Sequence, residues 1–178
     1  MMNYQSRISS ERCRVGRLHP LVIRRVEPAR LSDVGGIFGL LGSRAPQTIA
    51  LEREFIARHI DRFGVIRSLV GEVLACAALL PLDAGRIELR SVAVRRGWEG
   101  QGFGRHLLEW AVGQADRCQL MLACVTTCPK FFRPFGFRCV VMEDILHKAG
   151  RDESQLSVKR QAMVYLPAMA YGMQEARG

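Results

Sequence analysis

The stretch Val92-Ala93-Val94-Arg95-Arg96-Gly97-Trp98-Glu99-Gly100-Gln101-Gly102-Phe103-Gly104-Arg105 constrains the fold more than any other part of the chain. Its valines read as the end of a strand. Glycines then crowd together, and a helical pattern begins at once, with Leu107, Leu108, Ala111, Val112 and Ala115 on one face. Residues 119–125 supply the next strand. A strand–loop–helix–strand unit of this kind predicts a right-handed crossover between parallel strands, and so an α/β sheet. Free N–H groups and the positive dipole end at such a helix start suit an anion, a pyrophosphate above all. Glycine has no entropic advantage at a helix start that binds nothing.

Two phosphate-binding motifs are excluded. The dinucleotide fingerprint needs glycine where Arg105 stands, and the P-loop needs a Lys-Ser/Thr pair that is absent after Gly104.

The strand ahead of this loop, Arg86–Val94, breaks its own alternation. Ile87 and Leu89 are apolar on odd positions, Val92 and Val94 on even ones. A two-residue period cannot place all four on one face, so both faces are buried or a bulge lies near Arg90 and Ser91. Elsewhere, residues 21–23 read as a short strand, and Pro28 as the first turn of a helix carrying Leu31, Val34, Ile37, Phe38 and Leu41. Leu51, Phe55, Ile56, His59 and Phe63 form a second helical stripe. Strands follow near 65–69 and 73–80, the latter apolar throughout, as in a strand covered on both faces. Residues 129–135 predict a short helix stopped by Gly136, then strands at 137–142 and 162–166. Residues 143–160 are polar and carry no clear pattern. The front half offers hairpins, so the sheet should be mixed.

At 178 residues with 48% apolar and 24% charged residues, the chain can bury a full core and is not of disordered composition. Its longest apolar run, residues 73–82, contains Pro81 and is too short to cross a bilayer. The net charge is +9, carried almost wholly by arginine. This charge fits a phosphate-bearing cofactor, a nucleic acid, or plain arginine-rich composition. The basic residues form no dense block with interleaved aromatics, which disfavours nucleic acid. The six cysteines form no CxxC pair and no histidine pair stands at a zinc spacing, so no metal is expected, and a reducing cytoplasm suits the thiols. Residues 1–20 read as a basic, disordered extension, 21–170 as one domain, and 171–178 as a flexible tail.

The stretch Glu99-Gly100-Gln101-Gly102-Phe103-Gly104 resembles the Gln/Arg-x-x-Gly-x-Gly/Ala signature of the GNAT N-acetyltransferases. A later aromatic pair and Gly-Phe, in Phe131-Phe132-Arg133-Pro134-Phe135-Gly136-Phe137, is similar to that family's second element. The resemblance covers about residues 21–166. Within the superfamily, Cys76-Ala77-Ala78-Leu79, Glu88-Leu89-Arg90-Ser91-Val92-Ala93-Val94, Thr126-Thr127 and Ala162-Met163-Val164 resemble amino-acid acetyltransferases of the N-acetylglutamate synthase type.

The resemblance implies a single α/β domain with a mixed, mostly antiparallel sheet, a bulged central strand and helices on both faces. It implies acetyl-CoA as co-substrate and a small primary amine as acceptor, with the α-amine of glutamate, a step in arginine synthesis, as the first choice. Another small amine, a protein N-terminus, or a non-catalytic CoA-binding regulatory module are the alternatives. No nucleic-acid or membrane partner is implied, and a homodimer is compatible with it. Val92, Ala93, Val94, Glu99, Gly100, Gln101, Gly102, Phe103, Gly104, Arg105 and Phe132 are its cofactor residues. Glu88 is the candidate base, acting through a water. Arg90, Thr126 and Thr127 are the candidate acceptor contacts, Arg90 through the fork that matches a carboxylate. Two residues depart from the family pattern. Glu99 replaces the leading Gln or Arg, and Phe132 stands where many members carry a tyrosine general acid.

Overall fold

The structure, a computed structural model, describes residues 25–45, 48, 51–141, 145 and 160–167. The strand expected at 21–23, the basic extension and the C-terminal tail lie outside the described residues. Among the described residues, seven strands form one sheet: β1 (Glu27–Pro28), β2 (Phe63–Arg67), β3 (Val73–Asp83), β4 (Arg86–Val94), β5 (Met121–Thr126), β6 (Arg138–Val140) and β7 (Gln161–Tyr165). Their spatial order is β1-β2-β3-β4-β5-β7-β6. Neighbours run antiparallel except β4 and β5, which are parallel and joined by helix α3 (Phe103–Cys118). The expected crossover and mixed sheet are both present.

Helices cover both faces. On one, Leu107, Leu108, Ala111 and Ala115 of α3 pack with Leu89, Ala77, Phe132 and Phe137. On the other, Ile37, Leu40 and Leu41 of α1 (Val34–Ser43) and Ile56 of α2 (Arg53–Arg58) pack with Val65, Cys76, Ala78 and Ala93. Residues 73–78 of β3 are buried throughout, as a strand sandwiched between helices must be.

Two local expectations need correction. Pro28 lies in β1, opposite Gly64, and not in a helical turn. β1 is the outermost strand, where a missing N–H leaves no central ladder bond unmade. The next residue carries the bond instead, Ala29 N–H donating to Phe63 O at 2.9 Å. Phe63 likewise leaves the helical stripe to begin β2 opposite Ala78, because burial in the sheet outweighs its helical spacing. A 3₁₀ turn over residues 60–62 makes the change of direction.

Candidate active site

β4 positions the site through two irregularities. Its ladder with β3 pairs Ala78 with Arg90 and Cys76 with Ala93, so Ser91 and Val92 together stand against Ala77 alone. This is the expected bulge. Ser91 takes a left-handed φ of 57°, and its carbonyl accepts the Cys76 Sγ at 3.6 Å. On its other edge, β4 pairs with β5 at three positions, Arg86, Glu88 and the Ile87 between them, and the ladder stops at Glu88–Ala123. Beyond that point the two strands part. The gap opens into a cleft of about 630 Å³.

One wall of the cleft is the upper part of β4, with Arg90, Val92, Ala93 and Val94. The opposite wall is the end of β5 and the turn after it, with Cys124, Thr126, Thr127 and Cys128. Phe131 and Phe132 of the short helix α4 (Pro129–Phe132) close one side. Glu99, Gly100, Gly102, Phe103, Gly104 and Arg105 form the rim. The structure therefore gathers the sequence-predicted residues around one cavity, except two. Gln101 turns back to Gly97, its Nε2 donating to that carbonyl at 3.4 Å, and Glu88, 3% exposed, is buried and does not line the cavity.

The rim holds the start of α3. Gly102 precedes α3 with a φ of 89°, a conformation that favours glycine, and offers no side-chain cap. The first helical bond runs from His106 N–H to Gly102 O, so the N–H groups of Phe103, Gly104 and Arg105 lack an earlier acceptor within the helix. No acidic residue stands in that first turn. Gly104 brings α3 against Phe131: a Cβ there would lie 3.0 Å from the ring's Cζ.

Charge is distributed unevenly around the cavity. Arg90 lies on the α2 side, its guanidinium 5.8 Å from the Phe55 ring centroid, and shares a sheet face with Glu88 because the β3–β4 register is regular from Glu88 to Arg90. Burial first, and then the negative charge of Glu88, push the Cys124 thiol up, so Glu88 makes its charge felt at a residue of the cleft wall. Burial alone pushes Cys76 up to about 12, which leaves it an inert core thiol. Thr126, 8% exposed, accepts the Cys128 N–H at 3.0 Å. Phe132 is buried edge-on between Phe131 and Phe137 and offers no proton. Among the described residues, no group of three His, Cys, Asp or Glu side chains is arranged to hold a metal. No described helix is long and apolar enough to cross a membrane.

Arg44, Thr48, Ser91 and Arg160 are among the lining residues that the sequence did not single out for the site. Ser91 was within reach, since the broken alternation points to it. Arg44 follows α1 and Arg160 precedes β7, both in stretches without apolar pattern, so only the tertiary fold brings them here.

A bulged strand splayed from its parallel neighbour, beside an uncapped helix start, frames the cleft of this α/β domain. Residues 56–139 match the family described as acetyltransferase (GNAT) domain. An amino-acid acetyltransferase of Pseudomonas putida is 33% identical over 117 residues, 63% of this chain and 27% of the relative. One from Azotobacter vinelandii is 32% identical over 121 residues, 64% of this chain and 27% of the relative. The chain thus spans about a quarter of the length of these curated relatives. Two solved structures share the fold. An N-acetylglutamate synthase from Neisseria gonorrhoeae, complexed with coenzyme A and N-acetyl-glutamate, gives a TM-score of 0.71 at 21% identity, over 83% of this chain and 35% of that one. Rv2747 from Mycobacterium tuberculosis, in complex with CoA, gives 0.69 at 23% identity, over 79% of this chain and 98% of that one.

Proposed function

We propose that this domain transfers the acetyl group of acetyl-CoA to a primary amine, and that the amine is the α-amine of L-glutamate, a step of arginine biosynthesis. The observation that carries the transfer is the junction of the parted β4–β5 seam with the uncapped start of α3. The pantetheine arm lies along the edge of β4 that β5 no longer covers, and the pyrophosphate rests on the N–H groups of Phe103, Gly104 and Arg105. Amides of the segment Val92-Ala93-Val94 hydrogen-bond the arm and the thioester oxygen, stabilising the oxyanion that develops there.

The acceptor nitrogen attacks the thioester carbon, forming the C–N bond. Its surplus proton passes through a water to the Glu88 carboxylate, which is buried and does not line the cleft, so it does not reach the amine directly. The C–S bond then breaks. A thiol of pKa ~8.5 leaves as thiolate without a strong acid, so Phe132 in place of a tyrosine is tolerated. The acceptor assignment is supported by Arg90 and Arg160, two guanidinium groups in the same cleft for the two carboxylates of glutamate, and by the resemblance to enzymes named for amino acids.

A thiol-release assay with glutamate, glutamine, aspartate and spermidine tests both halves. Glutamate should lead, and Arg90→Lys should raise its KM by an amount worth about 1.5–3 kcal/mol, with acetyl-CoA affinity kept. Preference for spermidine, with Arg90→Lys silent, would remove glutamate and leave the acetyltransferase. No thiol release with any amine would remove the enzyme. Glu88→Gln should slow turnover sharply at neutral pH and recover in part as pH rises and more amine is free, while an unchanged pH profile would dismiss Glu88 as the base.

A further inference from the structure

An acidic side chain stands on the rim where a diphosphate would sit. Glu99 lines the cleft, and its carboxylate is held below the usual range by backbone N–H groups of its own loop and by Arg44, so it is ionised. An unneutralised carboxylate beside phosphates would repel them. The loop disarms it from both sides. Gly97 N–H donates to Glu99 Oε2 at 2.6 Å, and Arg44 Nη1 donates to Glu99 Oε1 at 2.6 Å.

We propose that Arg44, oriented by Glu99, is a cofactor-binding residue that receives the diphosphate of the coenzyme. The inference rests on the acetyl-CoA reading above and adds the cation that the reading lacks. Arg44 comes from the C-cap of α1, and its side chain and that of Glu99 are 25% and 45% exposed, so the pair meets solvent at the cavity rim. A guanidinium carries five N–H donors in one plane. Glu99 takes one oxygen's worth of that fork, and the rest of the plane can meet a second anion. Two other arginines of the cleft, Arg90 and Arg105, are placed for different partners. Arg90 lies over Phe55, and Arg105, 71% exposed, donates to Glu109 along the outside of α3. Glu99 is therefore not a defect in an anion site. It fixes the rotamer of an arginine drawn from 55 positions away.

The test compares acetyl-CoA with S-acetylpantetheine, which has the thioester arm and no diphosphate. Arg44→Ala should weaken acetyl-CoA binding by calorimetry by about tenfold or more and leave the KM for S-acetylpantetheine within about twofold. Glu99→Gln should change acetyl-CoA affinity by less than about threefold, because its amide oxygen still accepts from Arg44 and orients it while the repulsive charge is gone. Arg44→Lys, which keeps the charge without the fork, should fall between them. The Arg44→Ala, Glu99→Gln double variant should bind more tightly than Arg44→Ala alone. Equal losses for both thioesters, or unchanged acetyl-CoA affinity in the Arg44 variants, would overturn the proposal. Wild-type protein that binds no acetyl-CoA would remove the underlying reading, and does so before any variant is made.

Discussion

At the N-terminal end of α1, Asp33 is 5% exposed and accepts two hydrogen bonds from Arg67, from Nε at 3.0 Å and from Nη2 at 2.5 Å. It also accepts the Arg30 N–H at 2.6 Å, while Arg67 donates to Glu27 on β1 at 2.5 Å. At the other end of the same helix, Arg44 meets Glu99 through one contact between partly exposed side chains. Both arrangements tie α1 to the sheet side of the molecule. The first is enclosed, forked and shared among β1, β2 and the helix entry. The second is open and lies on the rim of the cleft. An ion pair enclosed by structure holds the fold, whereas one left at a cavity mouth can exchange one anion for another.

That contrast can be broken most forcefully at Asp33. Asp33→Ala leaves Arg67, whose side chain is 13% exposed, facing a single remaining carboxylate at the sheet edge. Urea unfolding should show a loss of about 3 kcal/mol, and activity of the folded fraction should survive. A loss below about 0.5 kcal/mol would place the network with ordinary surface pairs.

The pH dependence sharpens the same point. Burial pushes the Asp33 carboxyl up, but hydrogen bonds from Arg67 and the Arg30 N–H, with the guanidinium charge, outweigh it and bring it below 3.8. A depressed folded value means that the stabilisation is complete above 3.8 and is lost as pH falls through the lower folded value. Acid unfolding of wild type should therefore include a component at that pH that Asp33→Ala lacks. Identical acid limbs for the two proteins would contradict it. The smallest effect belongs to the other end: Arg44→Ala should cost under about 1 kcal/mol of stability, since its pair is exposed to solvent. A cost as large as that of Asp33→Ala would make both ends structural and erase the contrast.

The sequence carried the frame around the cleft in local form. The bounds of β4, its bulge, the glycine turn and the buried face of α3 each follow from apolar spacing or from glycine within a few residues. Glu88 was legible as a strand carboxylate, but its depth was not, because depth is set by β3 and β5 on either side. Pro28 misled because a proline in a first helical turn and one on an edge strand look alike until the neighbouring strand is known. Arg44 and Arg160 left no local sign at all. Arginines in patternless segments are defined by what the fold sets opposite them, here the loop and the parted strands.

The claim at the centre is that the gap between β4 and β5 and the start of α3 together take the coenzyme. Amide hydrogen exchange with and without CoA reads this residue by residue. Protection should rise at residues 92–94, at residues 103–105 and around Arg44, while residues 27–33, at the Asp33 end of α1, should exchange as before. Protection confined to other surfaces, or none at residues 92–94 and 103–105 at saturating CoA, would contradict the account.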